Sequence, residues 1–261
     1  MRVRVYTLKD REKLAGALVE DRMRAAYLLA DLEDPYFAHT RWYAAGAETE
    51  PPRTVILIYL ALKTPALLPF GNPAGVERIM EERGAELPQK AYGMIWPEHE
   101  KGVGKIYEAQ FDRRMIRMGL DKSGFEPHAC GPEVSPLLQE DLDDLTALMK
   151  HYPGNFFEPA MFRDGLYFGI REEGRLISAG GIHTYSPAYS VAAIGNIVTH
   201  RAYRRRGLAL ACTSALVEKL FAEVDLIALN VEETNAPAIQ CYERLGFERH
   251  AAYTEGLYSK R

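Results

Sequence analysis

The segment Asp121–Pro136, DKSGFEPHACGPEVSP, contains Gly124, Gly131, Pro127, Pro132 and Pro136, so no helical or strand period can run through it. A chain of 261 residues interrupted there must be built in halves, and we divide it into 1–125 and 133–261. Each half is long enough to bury a core of its own. Downstream of the break, Leu138, Leu142, Leu145, Leu148 and Met149 mark one face of a helix over Leu138–Lys150. Three strand-like runs follow, Leu166–Arg171, Arg175–Tyr185 and Tyr189–Thr199, parted by turn residues around Gly174 and Pro187. Such short connections imply an antiparallel meander. A helix over Leu208–Val224, a buried strand Leu226–Val231, a second helix Ala236–Leu245 and a strand Phe247–Tyr258 complete an α+β half with a mixed sheet.

The first half reads in a similar order from weaker signals. A strand at Arg2–Leu8 precedes a long helix, Arg11–Leu32, and strands at Trp42–Ala45 and Thr54–Lys63. A glycine-proline connector, Gly71–Gly75, then leads to a helix Val76–Arg83 and strands Ala91–Trp96 and Arg114–Met118. Element order alone therefore points to an internal repeat. The connector has no basic residue, and Pro73 removes an N–H, so it reads as a plain structural link. Tyr92, Trp96, Tyr107 and Phe111 are expected in the core or at an interface.

Composition narrows the function. The net charge of -4 argues against a protein that mainly grips nucleic acid or an anionic membrane. The longest apolar stretch, Val55–Leu62, falls well short of the roughly 20 residues of a membrane-spanning helix. The opening MRVRVYTLKD has no secretory core, so a soluble, cytoplasmic protein is expected. Cys130, Cys212 and Cys241 are widely spaced and lack CxxC spacing, which predicts isolated thiols and neither disulfides nor a metal site.

The most informative stretch is Asn196–Ala209, which joins a strand to a helix through a basic, glycine-containing turn. A helix start offers unpaired N–H groups and the positive end of a dipole, both suited to a pyrophosphate. Gly207 lets the backbone approach, Ala209 keeps the first turn unobstructed, and Arg204, Arg205 and Arg206 add charge, although successive side chains cannot all face one ligand.

Arg204-x-x-Gly207-x-Ala209 after a strand resembles the phosphate loop of the GNAT superfamily, the acyl-coenzyme A-dependent N-acetyltransferases. A second match lies downstream, where Asn235-Ala236-Pro237-Ala238 precedes Cys241-Tyr242-Glu243-Arg244-Leu245-Gly246-Phe247. The phrase Val198–Arg204 is most similar to the glycine N-acyltransferase-like branch. The resemblance spans 133–261, and the first half is expected to be a degenerate GNAT-like domain. It implies acetyl-CoA (acyl-CoA) as cosubstrate, with no metal, and a small-molecule or peptide amine as acceptor. The backbone of Ile197, Val198 and Thr199 would pair with the pantetheine arm, Arg204, Arg205, Arg206, Gly207, Leu208 and Ala209 would hold the pyrophosphate, and Asn235 and Ala238 would meet the arm. Tyr242 would be the general acid. Many family members carry a glutamate on the strand entering the loop, yet Tyr189–Thr199 has no carboxylate. Glu232, Glu233 or His183 acting through water, or no dedicated base, remain as alternatives, and so does a non-catalytic acyl-CoA sensor.

Overall fold

The computed structural model describes residues 4–128, 131–154, 157–163 and 165–261, which leaves Cys130 outside the described residues. Packing divides the chain into two compact units, Met1–Arg117 with His250–Arg261, and Met118–Arg249. The grouping of the last strand with the first unit is a feature that the division into 1–125 and 133–261 does not contain.

The first unit opens with β1 (Arg4–Thr7), α1 (Arg11–Leu18), α2 (Arg22–Ala30), β2 (Thr40–Gly46), β3 (Thr54–Tyr59) and β4 (Ala66–Gly71). It continues with α3 (Pro73–Arg83), β5 (Lys90–Ile95), α4 (Glu100–Val103) and β6 (Tyr107–Asp121), the last of which runs on into the second unit. The four consecutive strands β1 to β4 pair antiparallel. β5 then joins β4 in parallel, at Ala66↔Tyr92 and Leu67↔Gly93.

The second unit holds β7 (Ser135–Pro136), α5 (Leu142–Met149), β8 (Phe168–Glu172), β9 (Arg175–Ser186), β10 (Val191–Thr199), α6 (Leu208–Leu220), β11 (Leu226–Glu232) and α7 (Ala236–Glu243). Its strands β7 to β10 are again antiparallel neighbours, and β11 again joins the fourth in parallel. Both units thus repeat four antiparallel strands, a helix and a parallel strand; the element order points to a repeat, but β4 and β7 are strands it does not contain.

The final strand, β12 (Glu248–Lys260), begins in the second unit but pairs antiparallel with β5, from Thr254↔Ile95 to Ser259↔Lys90. The strand beside the fifth strand of the first unit is therefore contributed by the far end of the chain.

Each unit buries one apolar face of its sheet under its main helix. In the first, Val76, Ile79 and Met80 of α3 pack with Tyr43, Ile56, Ile58 and Tyr107. In the second, Leu208, Ala211 and Cys212 of α6 pack with Ile170 and Ile177. α6 is apolar on nearly every side, as a helix buried against the sheet must be.

Several first-half expectations need correction. The helix expected over Arg11–Leu32 breaks at Asp21, whose carboxylate accepts from the Arg24 N–H at 3.0 Å and starts α2 afresh. The connector Gly71–Gly75 shrinks to the single residue Asn72, because Gly71 ends β4, Pro73 is the first residue of α3 and Asn72 is its N-cap. β4 and α4 were not expected, and β6 is far longer than Arg114–Met118. Trp96 and Tyr107 are buried as expected, whereas Phe111 is exposed. Cys212 and Cys241 are free thiols, buried and half-buried, and burial raises the Cys212 pKa to about 12 and that of Cys241 to about 11. Among the described residues no helix is long and apolar enough to cross a membrane.

Candidate active site

The site starts from a defect in the sheet. β10 pairs with β11 from Val191↔Leu226 to Ile194↔Leu229, and there the register ends, although β10 continues to Thr199 and β11 to Glu232. The cause lies on the other side of β10. Against β9 the register shifts twice, between Ala193 and Ile194 and again between Gly195 and Val198. The first shift leaves His183 as an extra residue on β9, and the second leaves Asn196 and Ile197 opposite the single residue Gly180. Asn196 takes φ 52°, in the left-handed region that Asn tolerates better than most side chains. Bulges bend the strand that carries them, so β10 turns away from β11 and a slot opens between them.

Alternation decides which backbone groups line that slot. His200 donates its backbone N–H to Ile177 O at 2.8 Å, so the peptide groups of Val198 face β9. Those of Ile197 and Thr199 face the other way, into the slot. The Ser178 hydroxyl, which donates to Val198 O at 3.1 Å, fits the same parity.

The slot ends at the turn into α6. Gly207 has φ 76° and stands at the N-cap of α6, and a Cβ built on it meets nothing within 4 Å. The glycine is therefore required by its backbone conformation and faces open space. The first intrahelical bond is donated by Ala211 to Gly207 O at 3.1 Å, so the amides of Leu208, Ala209 and Leu210 precede the helical ladder. The Leu208 side chain is core, so only its backbone can meet a ligand.

The three arginines have different tasks. Arg204 bonds Thr199 O through Nε at 3.2 Å and His151 O through Nη2 at 3.0 Å, which fixes the turn to the end of β10. Arg206 pairs with Glu172 at 2.9 Å and lies over the Tyr203 ring. Arg205, exposed and held at φ 63°, makes no ion pair or side-chain hydrogen bond among the described residues.

Asn235 is the N-cap of α7 and accepts from the Ala238 N–H at 3.3 Å. Tyr242, two turns on, is buried and sits edge-on to Phe247 at 6.0 Å. Burial, and then the neighbouring Cys241 and Tyr152, raise its pKa well above the ordinary phenol value. Gly246 closes the motif at φ 92°, and its Cα lies so near Gly124 O that a Cβ would come within 1.9 Å of it.

Of the remaining candidates, His183 lies closest to the vertex of the slot. A Cβ on Gly195 would come within 2.4 Å of its ring, so the imidazole covers the β10 backbone where the strands part. Glu232 is half-buried at the end of β11, and Glu233 is exposed. Asn196 was missed as a site-building residue, although a Gly-Asn pair inside a strand pattern is a recognisable bulge signal.

A four-strand meander, a crossover helix and a parallel strand that splays from the fourth define the class as a mixed α+β GNAT fold. Residues 134–247 match the family model of the acetyltransferase (GNAT) family. Over this segment the chain is therefore similar to GNAT-family acetyltransferases. A Drosophila protein of solved structure aligns over 98% of each chain with a TM-score of 0.73 at 14% identity. A tandem GNAT protein from the clavulanic acid biosynthesis pathway covers 99% of this chain and 98% of its own, with a TM-score of 0.58 at 14% identity. A GCN5-related N-acetyltransferase from Sphaerobacter thermophilus covers 99% and 95%, with a TM-score of 0.62 at 15% identity. No curated protein matches the sequence.

Proposed function

We propose that the second unit transfers an acetyl group from acetyl-CoA to an amine. The observation that carries this reading is the slot between β10 and β11, which runs into the open N-terminus of α6. An extended pantetheine arm fits it as an added strand, taking the backbone groups of Ile197 and the N–H of Thr199, whose carbonyl is held by Arg204. A pyrophosphate fits the amides before Ala211 and the Arg205 guanidinium. Val198, with its backbone turned to β9, supports the arm without bonding it, and Arg204 acts by holding the turn in shape. The phrase from Val198 to Arg204 favours the glycine N-acyltransferase-like branch, and with it a small amine acceptor.

In the reaction the amine nitrogen attacks the thioester carbonyl carbon, the C–S bond breaks, the amine sheds a proton and the departing thiolate takes one up. Tyr242 keeps its proton at every physiological pH, as a donor must. Its raised pKa widens the gap to a thiol at roughly 8.5 to 9, so the phenol acts mainly by hydrogen-bonding the developing thiolate. For the amine proton, the bulged His183 at the vertex is the group we assign, through water. We assign the cofactor to the second unit alone, since the first unit's equivalent turn carries Pro73 and no basic residue.

Titration of the full chain with acetyl-CoA, followed by an amine screen monitored by free thiol, tests the reading. Tight binding with thiol release on some amine is the expected result. Binding with no thiol released across the screen identifies a sensor, and absence of binding overturns the assignment.

A further inference from the structure

Two buried polar side chains lie beside the slot without belonging to it. Asn196 is 4% exposed and Tyr167 is wholly buried. The Asn196 Nδ2 donates to the Tyr167 hydroxyl at 3.1 Å, and that hydroxyl donates to Ile182 O at 3.1 Å. Ile182 directly precedes His183, the extra residue on β9, and Asn196 begins the bulge on β10. One hydroxyl thus ties together the two irregularities that part the sheet.

The ring of Tyr167 is fixed in place by packing. A Cβ on Gly181 would come within 2.1 Å of it, so it lies flat on the β9 backbone, with Phe162 at 5.2 Å on another side. Phenylalanine would fill that space as well. What it would lack is the bridge from Ile182 to Asn196. Asn196 is likewise not chosen for φ alone, since glycine takes φ 52° at lower cost. The side-chain functions are therefore needed for the bridge, and a buried hydrogen-bonded pair of this kind holds one backbone arrangement against its alternatives.

We propose that Tyr167 and Asn196 are positioning residues that set the acyl end of the slot by clamping the bulge that turns the Ile197 backbone toward it. The inference rests on the acetyltransferase reading. Its direction follows from the strand: the turn at Arg204 to Ala209 marks the pyrophosphate end, and passing back from Thr199 to Ile197 reaches the vertex, where the acyl group of an extended arm falls. The clamp should therefore act on acetyl-CoA more than on CoA, which has no carbonyl at that point.

Calorimetric titration of the full chain with acetyl-CoA and with CoA tests this in Tyr167→Phe, Asn196→Gly and the double variant. Loss of one hydrogen bond's worth of positioning should weaken acetyl-CoA about 3- to 10-fold in each single variant, with no further loss in the double variant. CoA affinity should stay within about twofold. Amide exchange supplies a ligand-free readout. Val198 and Ala179, paired across the bulge, should exchange at least about tenfold faster in the variants, with Ala192 and Ala193 unchanged. An unchanged ratio of acetyl-CoA to CoA affinity, equal losses for both ligands, additive losses in the double variant or unchanged exchange at Val198 would each overturn the proposal. Wild-type chain that binds neither ligand overturns the acetyltransferase reading and this inference with it, whereas normal wild-type binding with unaltered variants removes this inference alone.

Discussion

The turn after β4 and the turn after β10 occupy the same place in their units, yet one is filled and the other is open. At the first, Asn72 donates its N–H to Arg53 O, Ala74 to the Asn72 carboxamide, and Gly75 and Val76 to Asn72 O, while Pro73 has no N–H at all. No amide from Asn72 to Val76 remains for a ligand. The carbonyl of Gly71 is taken by Nε2 of the buried His99 at 2.9 Å, and burial lowers the His99 pKa, which keeps that ring neutral. Gly75 lies against Thr54, where a Cβ would come within 2.3 Å of Oγ1. Gly102 of α4 lies against the backbone of Glu77 in α3, so the short helix closes over the start of the long one. Glycine at the second turn has no such neighbour. The same residue type therefore serves close packing in one unit and access in the other, and only the surrounding atoms tell the two uses apart.

The comparison breaks most severely at the helix that follows the parallel strand. In the first unit that helix is α4, four residues long and without a tyrosine, whereas α7 carries Tyr242. Tyr242→Phe should lower kcat about 100- to 1,000-fold through loss of the hydrogen bond to the developing thiolate, with acetyl-CoA affinity unchanged. Single-turnover kinetics with a reactive amine measures this. A chemical step of unaltered rate would leave Tyr242 as a packing residue beside Phe247.

Next in size is the effect of closing the open turn. Gly207→Glu combines a side chain at φ 76° with a negative charge aimed at phosphates, and acetyl-CoA affinity should fall about 100-fold or more in a folded protein. The wild-type stoichiometry should be one acetyl-CoA per chain, because the first turn has no amide to offer. Two per chain, or one that persists undiminished in Gly207→Glu, would show that the turns have been assigned to the wrong roles.

The filled turn should respond in the opposite currency, stability in place of affinity. Gly75→Ala pushes a methyl group into the side chain of Thr54, which is 2% exposed and cannot retreat without losing its bond to Asn72 O. Denaturation should show a loss of about 1–3 kcal/mol with acetyl-CoA affinity unaffected. Weakened binding at unchanged stability would mean that the first turn communicates with the ligand.

How much of this was readable depends on the range of the interaction. The glycine turn into α6, the Asn235 cap and the Gly246 helix ending are local and carry their own signals, so their backbone geometry was legible in the sequence. The first turn misled because Pro73 reads equally as a connector residue and as the first residue of a helix, and Asn72 as a cap settles it only once the helix is seen. The break at Asp21 was readable as a cap but was hidden by an apolar face that continues through it. Nothing local announces that Tyr258 will lie opposite Ala91, more than a hundred residues away, so the placement of the last strand was invisible. The division of labour among the arginines was equally hidden, since it depends on carbonyls of Thr199 and His151 that only the fold brings near.

That division gives the smallest and most discriminating effect. Arg206 is held by Glu172 and by the Tyr203 face, so recruiting it to a phosphate means breaking an existing pair; Arg205 has none to break among the described residues. Arg205→Ala should weaken acetyl-CoA about fivefold at low salt, Arg206→Ala by less than about twofold, since exposed ion pairs are worth roughly 0.2–1 kcal/mol and phosphate contacts somewhat more. Screening supplies the internal control. Raising the ionic strength toward about 1 M shortens the Debye length to about 3 Å and should erase most of the Arg205 effect, while leaving a Gly207→Glu defect that is partly steric. Titrations at two salt concentrations measure both, and an Arg206→Ala loss that exceeds that of Arg205→Ala would mean that the ligand displaces Glu172 and takes the paired arginine after all.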